Sequence, residues 1–337
     1  MLTYNDSVAR GGIAEPVNGS WQGKDIISVE QFTKSDLDQL FEVTARMKRI
    51  KEMNGSTDIL RGKILANLFY EASTRTDASF SIAMKRLGGE VHNIVGVQFS
   101  SVSKGETLAD TVRVLSGYTD VLVLRHPQQG AAATAAQAIH AQCRLTGSGP
   151  VPLINAGDGV GEHPTQALLD MYTIVQKFNR IDGLTVAMVG DLKHGRTVHS
   201  LARLLSFYSG VKLILIAPPS LQMPPDLLEE LRRRGVETKL ADSIEEVSHE
   251  ADVWYITRVQ KERFDSEDAY RSVQGSYSVN AETVSRMRSE AIIMHPLPRV
   301  GEISEDVDSL PQAVYFEQAV NGMYVRMAIL AGVLGRW

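Results

Sequence analysis

The sequence predicts an α/β protein built as two doubly wound parallel-sheet domains joined by helices. Three observations predict it. Apolar, strand-like runs alternate with helical patterns along nearly the whole chain, as they do when helices cover both faces of a parallel sheet. A length of 337 residues is long for one core and comfortable for two. The polar residues with chemical potential fall after the strands, where open α/β sheets gather ligands.

The elements follow in order. IISVEQF is a short strand or a lead-in segment, and TKSDLDQLFEVTARMKRIKEM is a long amphipathic helix opened by a Thr or Ser cap. KILANLFYE reads as a buried strand and ASFSIAMKRLGG as a helix ending at Gly88-Gly89. VHNIV is a strand, ETLADTVRVLSGY a helix, TDVLVLRH a strand, GAAATAAQAIHAQC an alanine-rich helix and VPLINAG a strand. HPTQALLDMYTIVQKF then forms a helix. LTVAMVG, VKLILIAP and ADVWYIT form strands, and RTVHSLARLLSFYSG, DLLEELRRRG and SIEEVSHE form helices. AIIMHPLPR is a strand that leaves into a loop, and QAVNGMYVRMAILAGVLGR is the last helix. Two sheets are expected, one on each side of about Gly157.

Composition narrows the function classes. A net charge of -5 leaves no electrostatic footprint for nucleic acid, and no basic run suggests a membrane surface. The single cysteine, Cys143, cannot form an internal disulfide, which fits a reducing, cytoplasmic setting. No run approaches the roughly 20 apolar residues of a membrane span. The opening MLTYNDSVARGGIAEPVNGSWQG lacks the pattern of a signal peptide. Residues 1–23 read instead as a flexible lead-in or linker.

The loops after strands hold the candidate chemistry. Ser73-Thr74-Arg75-Thr76 closes one strand and opens one helix. Backbone N–H groups at a helix start, hydroxyls and a guanidinium suit a phosphate or carboxylate; an ordinary N-cap loop with a surface arginine is the plainer reading. The arrangement recurs. Arg125 and His126 end a strand, and His163 and Gln166 stand at a helix entrance beside Pro164. Lys193, Arg196 and Thr197 stand at another, Arg258 and Gln260 lie two apart past a strand, and Pro296 and Pro298 flank a rigid turn. Together they point to a small, strongly anionic ligand. Lys104 precedes the helix led by Glu106, where a cation is locally unfavourable. It is either a solvated lysine or the tip of a loop that swings a charge onto an anion.

GDLKHGRT, Gly190 to Thr197, fits the phosphate-cradling pattern G-x-x-x-x-G-K-[ST] except that Arg196 replaces the lysine. Nucleotide binding is therefore a minority reading. The eight histidines show no H-x-x-x-H or H-E-x-x-H spacing, and G-x-S-x-G is absent. Chemistry without a metal, a cofactor or a covalent nucleophile is expected.

As a set, FYEASTRT, SSVSKGETLADT, LRHPQ, INAGDGVGEHPTQALLD, MVGDLKHGRTVHS, TRVQKERF and MHPLPRV resemble the aspartate carbamoyltransferase family (catalytic chain) from about Lys24 onward. The wording SSVSKGE, GDGVGEHPTQ and NGMYVRMA is most similar to the corresponding domain of the multifunctional pyrimidine-synthesis proteins of animals and fungi. The linker-like start suits a domain excised from such a protein, fused to carbamoyl phosphate synthetase and dihydroorotase-like domains.

The resemblance implies the carbamoyltransferase fold. A carbamoyl phosphate-binding domain would span 24–162, completed by a C-terminal helix at 316–337, and an aspartate-binding domain would span 163–315. It implies that Ser73, Thr74, Arg75, Thr76 and Arg125 hold the phosphate. Thr76, Arg125 and His163 would donate to the carbamoyl oxygen, and Gln166 and the backbone at Leu297 and Pro298 would hold the carbamoyl nitrogen. Arg196, Arg258 and Gln260 would grip aspartate. Family members are trimers, so Ser100 and Lys104 would complete a neighbour's site. One departure is Asp77, where bacterial relatives often carry a basic residue; its side chain is expected to point away from the phosphate. The alternatives are an ornithine carbamoyltransferase, a P-loop-like nucleotide-binding module and a non-catalytic scaffold.

Overall fold

ILANLF is apolar except for one asparagine, with five of its six residues buried. It forms the inner strand β1 (Ile64–Phe69) of the first sheet. The structure, a computed structural model, describes residues 15–95, 105–159, 161–259 and 277–337. The chain divides into two compact units, Met1–Leu168 with Gly322–Trp337, and Leu169–Asn321.

In the first unit, α1 (Lys34–Asn54) precedes β1, and α2 (Thr74–Arg86) and β2 (Glu90–Val95) follow it. Then come α3 (Leu108–Ser116), β3 (Val121–His126), α4 (Ala131–Thr146) and β4 (Leu153–Asp158). The sheet order is β2-β1-β3-β4, all parallel. The winding reverses between β1 and β3, which is the switch point where such sheets open a crevice. The alanine stripe of α4 lets that helix lie close over the sheet: Ala132, Ala135, Ala136 and Ile139 share one buried cluster with Leu122 and Leu124 of β3.

Helix α5 (Pro164–Phe178) leads into the second unit. There β5 (Thr185–Val189), α6 (Arg196–Leu205), β6 (Lys212–Ile216), α7 (Pro225–Arg233) and β7 (Glu237–Ala241) wind one way. β8 (Val253–Ile256), α8 (Ala281–Ser285) and β9 (Ile292–Met294) wind the other. The order β7-β6-β5-β8-β9 puts the reversal between β5 and β8. Helix α9 (Tyr315–Val333) returns the chain to the first unit. Among the described residues no helix is long and apolar enough to cross a membrane.

Several sequence expectations need correction. Residues 15–23 are not a loose lead-in: most of their side chains are exposed, but the main chain is tied down by Val17 N–H to the Gln31 carbonyl and Gly23 N–H to the Val333 carbonyl. Val17 and Trp21 are buried, and the Trp21 ring stacks on Phe32 at 5.5 Å and meets Trp337 edge-on at 4.9 Å. Isolated tryptophans in a Gly/Asn-rich stretch carry no periodicity, so only their tertiary partners reveal them. The IISVEQF segment contains a 3-10 turn at Val29–Gln31, with Ile26 bridging to Ile154. SIEEVSHE contains one 3-10 turn, Glu245–Val247. Its buried Ile244 and Val247 are three apart, a spacing that suits three residues per turn as well as 3.6. Strand β7 escapes sequence reading because ETKLA has no apolar run; it is the sheet edge and mostly exposed.

Candidate active site

The first unit brings its predicted residues to the carboxyl ends of three adjacent strands. Ser73 is the N-cap of α2, Thr74 and Arg75 are exposed in its first turn, and Thr76 is buried there. The Ser73 side chain makes no capping hydrogen bond, although its carbonyl accepts the first helical one, from Asp77 N–H at 3.0 Å. The hydroxyl is therefore not used to close its own helix. Arg125 lies on β3 opposite Phe69, the last residue of β1, so strand register alone sets it beside the Ser73–Thr76 turn. Its guanidinium donates to the Ala156 carbonyl at 3.2 Å and pairs with Glu71 at 3.3 Å. These contacts pin the arginine at the carboxyl end of β3.

His163 follows β4 and is buried, and its carbonyl accepts from Gln166 and Ala167 N–H at the start of α5. The loop before it is shaped by Asp158, whose carboxylate accepts from Gly130 N–H at 3.0 Å and Glu162 N–H at 2.9 Å. Gly159 is required in that loop: its φ is +57°, and a Cβ there would stand 2.3 Å from the Pro127 carbonyl oxygen. His126 accepts at Nδ1 from Gln128 N–H at 3.0 Å, and burial lowers its pKa. Asp77 turns beneath its helix. Its carboxylate accepts from the buried Asn67 of β1 at 2.9 Å, in a polar group with buried Ser81 and exposed Asn93.

The second unit repeats the layout. Arg196 opens α6 after β5, Arg258 lies just beyond β8, and Leu297 and Pro298 follow β9; these are three neighbouring strands. The turn after β5 needs Gly190, at φ +111°, because a Cβ there would meet the Thr257 carbonyl oxygen at 2.2 Å. Asp191, fully buried, accepts from the N–H groups of Lys193 at 3.2 Å and His194 at 2.9 Å. A phosphate-cradling loop needs such N–H groups aimed at the ligand. Here they close on a carboxylate, so this turn is not built as a P-loop.

The His295-Pro-Leu-Pro turn is braced from behind. Leu297 has φ +55°, unusual for a residue with a side chain, and its peptide to Pro298 is cis. Its N–H donates to His295 Nδ1 at 2.7 Å, and the opposite ring nitrogen meets Glu302 at 2.7 Å. Since Nδ1 accepts, the ring proton is at Nε2 and faces the carboxylate. Burial acts to raise the Glu302 pKa, but the bonds from His295 and Val300 N–H outweigh it and hold the carboxyl below its ordinary value. His295 N–H donates to Gln318, Gln318 to Asp170, and the Tyr255 phenol also to Asp170 at 2.8 Å. Burial, and then the Asp170 charge, raise that phenol well above its ordinary range.

Ser100, Lys104 and Gln260 lie outside the described residues. Glu71, Asp158, Glu162, Asp191 and Glu302 were not singled out from sequence. Each is a carboxylate one to five residues from a predicted cation, donor or turn. That proximity of opposite charge was the available signal.

Comparison with known proteins places this geometry. The family model described as "Aspartate/ornithine carbamoyltransferase, carbamoyl-P binding domain" matches residues 24–176, and "Aspartate/ornithine carbamoyltransferase, Asp/Orn binding domain" matches 182–333. The chain belongs to the aspartate/ornithine carbamoyltransferase family. Among carbamoyltransferase relatives, it is 50% identical over 315 residues to the multifunctional protein CAD of Squalus acanthias, covering 94% of this chain and 14% of that protein. It is 49% identical to the aspartate carbamoyltransferase catalytic subunit of Thermococcus gammatolerans, covering 94% of this chain and 99% of that one. A solved aspartate transcarbamoylase from Trypanosoma cruzi, in complex with carbamoyl phosphate and aspartate, superposes with a TM-score of 0.85 at 44% identity, covering 96% of this chain and 100% of that one. The two parallel sheets with flanking helices are the carbamoyltransferase fold.

Proposed function

We infer that the chain transfers the carbamoyl group of carbamoyl phosphate to the amino group of L-aspartate. The products are N-carbamoyl-L-aspartate and phosphate, and the pathway is de novo pyrimidine (UMP) biosynthesis. The observation that carries this reading is the similarity, over nearly full length on both sides, to a catalytic subunit named for that reaction and to a structure holding both substrates.

In this reading residues 24–162 with 316–337 bind carbamoyl phosphate and residues 163–315 bind aspartate. Ser73, Thr74, Arg75, Thr76 and Arg125 hold the phosphate; the unused Ser73 hydroxyl and the exposed Arg75 support that role. The deprotonated aspartate amine attacks the carbonyl carbon, a C–N bond forms, and negative charge grows on the carbonyl oxygen. Thr76, Arg125 and His163 donate to that oxygen from fixed positions, which stabilises the charge without reorganisation. Gln166 and the backbone at Leu297 and Pro298 hold the carbamoyl nitrogen. The C–O bond to phosphate then breaks, its electron pair leaving on the phosphate oxygen, and the departing phosphate takes the proton shed by the attacking nitrogen, with the cations around the leaving group. Arg196, Arg258 and Gln260 take the two aspartate carboxylates. Ornithine, with a cationic side chain, would be repelled by Arg258, which favours aspartate as the acceptor.

Ser100 and Lys104 act in the site of a neighbouring subunit of a homotrimer. In a longer protein the chain is one domain beside others of pyrimidine synthesis, a reading supported by the relatives of which it spans 14%. The single cysteine fits a cytoplasmic location. The test is phosphate release with carbamoyl phosphate and either aspartate or ornithine: release with aspartate alone is expected, and release with ornithine alone would overturn the assignment. A mixture of Arg75→Ala and Lys104→Ala proteins should recover part of the activity that each lacks. No recovery after confirmed subunit exchange would refute the shared site.

A further inference from the structure

The side chain of Glu162 stands immediately before His163, and nothing in the chemistry above uses it. Its two oxygens are both engaged by the segment leading into α1. One accepts from the Ser28 hydroxyl at 2.6 Å and the other from the Val29 N–H at 2.8 Å. That partner is rigid, because Ser28 caps the Val29–Gln31 turn and the Gln31 amide oxygen accepts from the N–H groups of Ile27 and Ser28. On the main-chain side, Glu162 N–H donates to the Asp158 carboxylate and its carbonyl accepts from Asp158 N–H. The residue before the histidine is therefore held at both its backbone and its side chain. Ser28 and Val29 are more than 130 positions away in sequence, so no local propensity accounts for the link.

We propose that Glu162 is a positioning residue for catalysis: by clasping Ser28 and Val29 it fixes the direction in which His163 presents its imidazole. The proposal rests on the reading of His163 as donor to the carbamoyl oxygen. A donor aimed at developing charge loses most of its effect when displaced by about 1 Å, whereas the helix start that carries Ser73–Thr76 is held separately, by Asn67 of β1 on the Asp77 carboxylate. Losing the clasp should lower kcat and leave phosphate binding intact.

The experiment measures kcat and inorganic phosphate affinity in the full chain for Glu162→Ala, Glu162→Gln, Ser28→Ala, His163→Ala and the Glu162→Ala/His163→Ala pair. Glu162→Ala should lose about 10- to 100-fold in kcat with phosphate affinity unchanged. Glu162→Gln should recover most of the loss, because the amide oxygen can accept from Val29 N–H while the amide N–H donates to the rotated Ser28 hydroxyl. Ser28→Ala removes one arm and should show a smaller loss, which also gives a readout if Glu162→Ala does not fold. The double variant should equal His163→Ala alone, since residues acting through one group are not additive. Wild-type kcat in both Glu162→Ala and Ser28→Ala, a parallel fall in phosphate affinity, or a further loss on top of His163→Ala would overturn the proposal. Full activity in His163→Ala would instead refute the role of the histidine itself.

Discussion

Helices α1 and α2 both open on a hydroxyl residue and use it in opposite ways. At α1 the Thr33 oxygen accepts from Asp36 N–H at 3.2 Å, and the Asp36 carboxylate in turn accepts from Thr33 N–H at 2.7 Å. The entrance is closed upon itself. At α2 the N-cap is Ser73, but the third helical residue is Thr76, and no side-chain cap forms. A capping box needs a carboxylate or amide at that third position; a short hydroxyl cannot reach back. The difference separates a helix start closed upon itself from one whose first turn is left open, as the proposed anion-binding role requires. A carboxylate at Thr76 would also repel the ligand.

Substitutions on the two entrances should therefore have opposite signatures. The largest effect is expected for Arg75→Ala, which removes the cation from the open entrance and should lower turnover by about 10³-fold, read by phosphate release; retention within tenfold would break the contrast. Ser73→Ala should weaken carbamoyl phosphate binding by about tenfold and change the urea-derived stability by less than about 0.5 kcal/mol, because no cap is lost. Thr33→Ala should do the reverse, costing about 1 kcal/mol of stability with kcat and KM unchanged. A kinetic defect in Thr33→Ala would show that the closed entrance also serves the site.

The smallest effect concerns the segment that leads into α1, where the His140 ring pairs with Asp25 at 2.9 Å. The hydrogen bond that His140 donates to the Asp25 carboxylate raises the His140 pKa above its ordinary value. The pair's contribution is thus fully present below about pH 6.5 and is lost as pH rises through the raised folded-state value. His140→Gln should flatten the pH dependence of the urea midpoint over that rise, and an unchanged slope would show that the pair carries no linkage.

Much of the candidate site is legible because strand ends are local signals. STRT, RH, HPTQ, GRT and TR-x-Q stand at the ends of apolar runs whose period is visible within about ten residues. The bracing was less legible. The direction expected of Asp77, away from the phosphate, is legible in the sequence, but its partners, Asn67 and Ser81, which draw it under the helix, are not. In GDLKHGRT the arginine in place of the lysine already speaks against a phosphate cradle, but the occupation of its N–H groups by Asp191 is legible only in the fold.

From the chain alone came the alternation of strands and helices and the kinds of side chain at each strand end, because both depend on residues a few positions apart. Folding decided the strand orders β2-β1-β3-β4 and β7-β6-β5-β8-β9, and with them which strand ends are neighbours. It also decided which carboxylates are committed to holding a turn. The strand orders are settled by pairings between residues tens of positions apart, and the carboxylate contacts range from neighbours, as at Asp191 and Lys193, to Glu162 and Ser28 at opposite ends of the first unit's sequence; neither leaves a mark on the local sequence pattern.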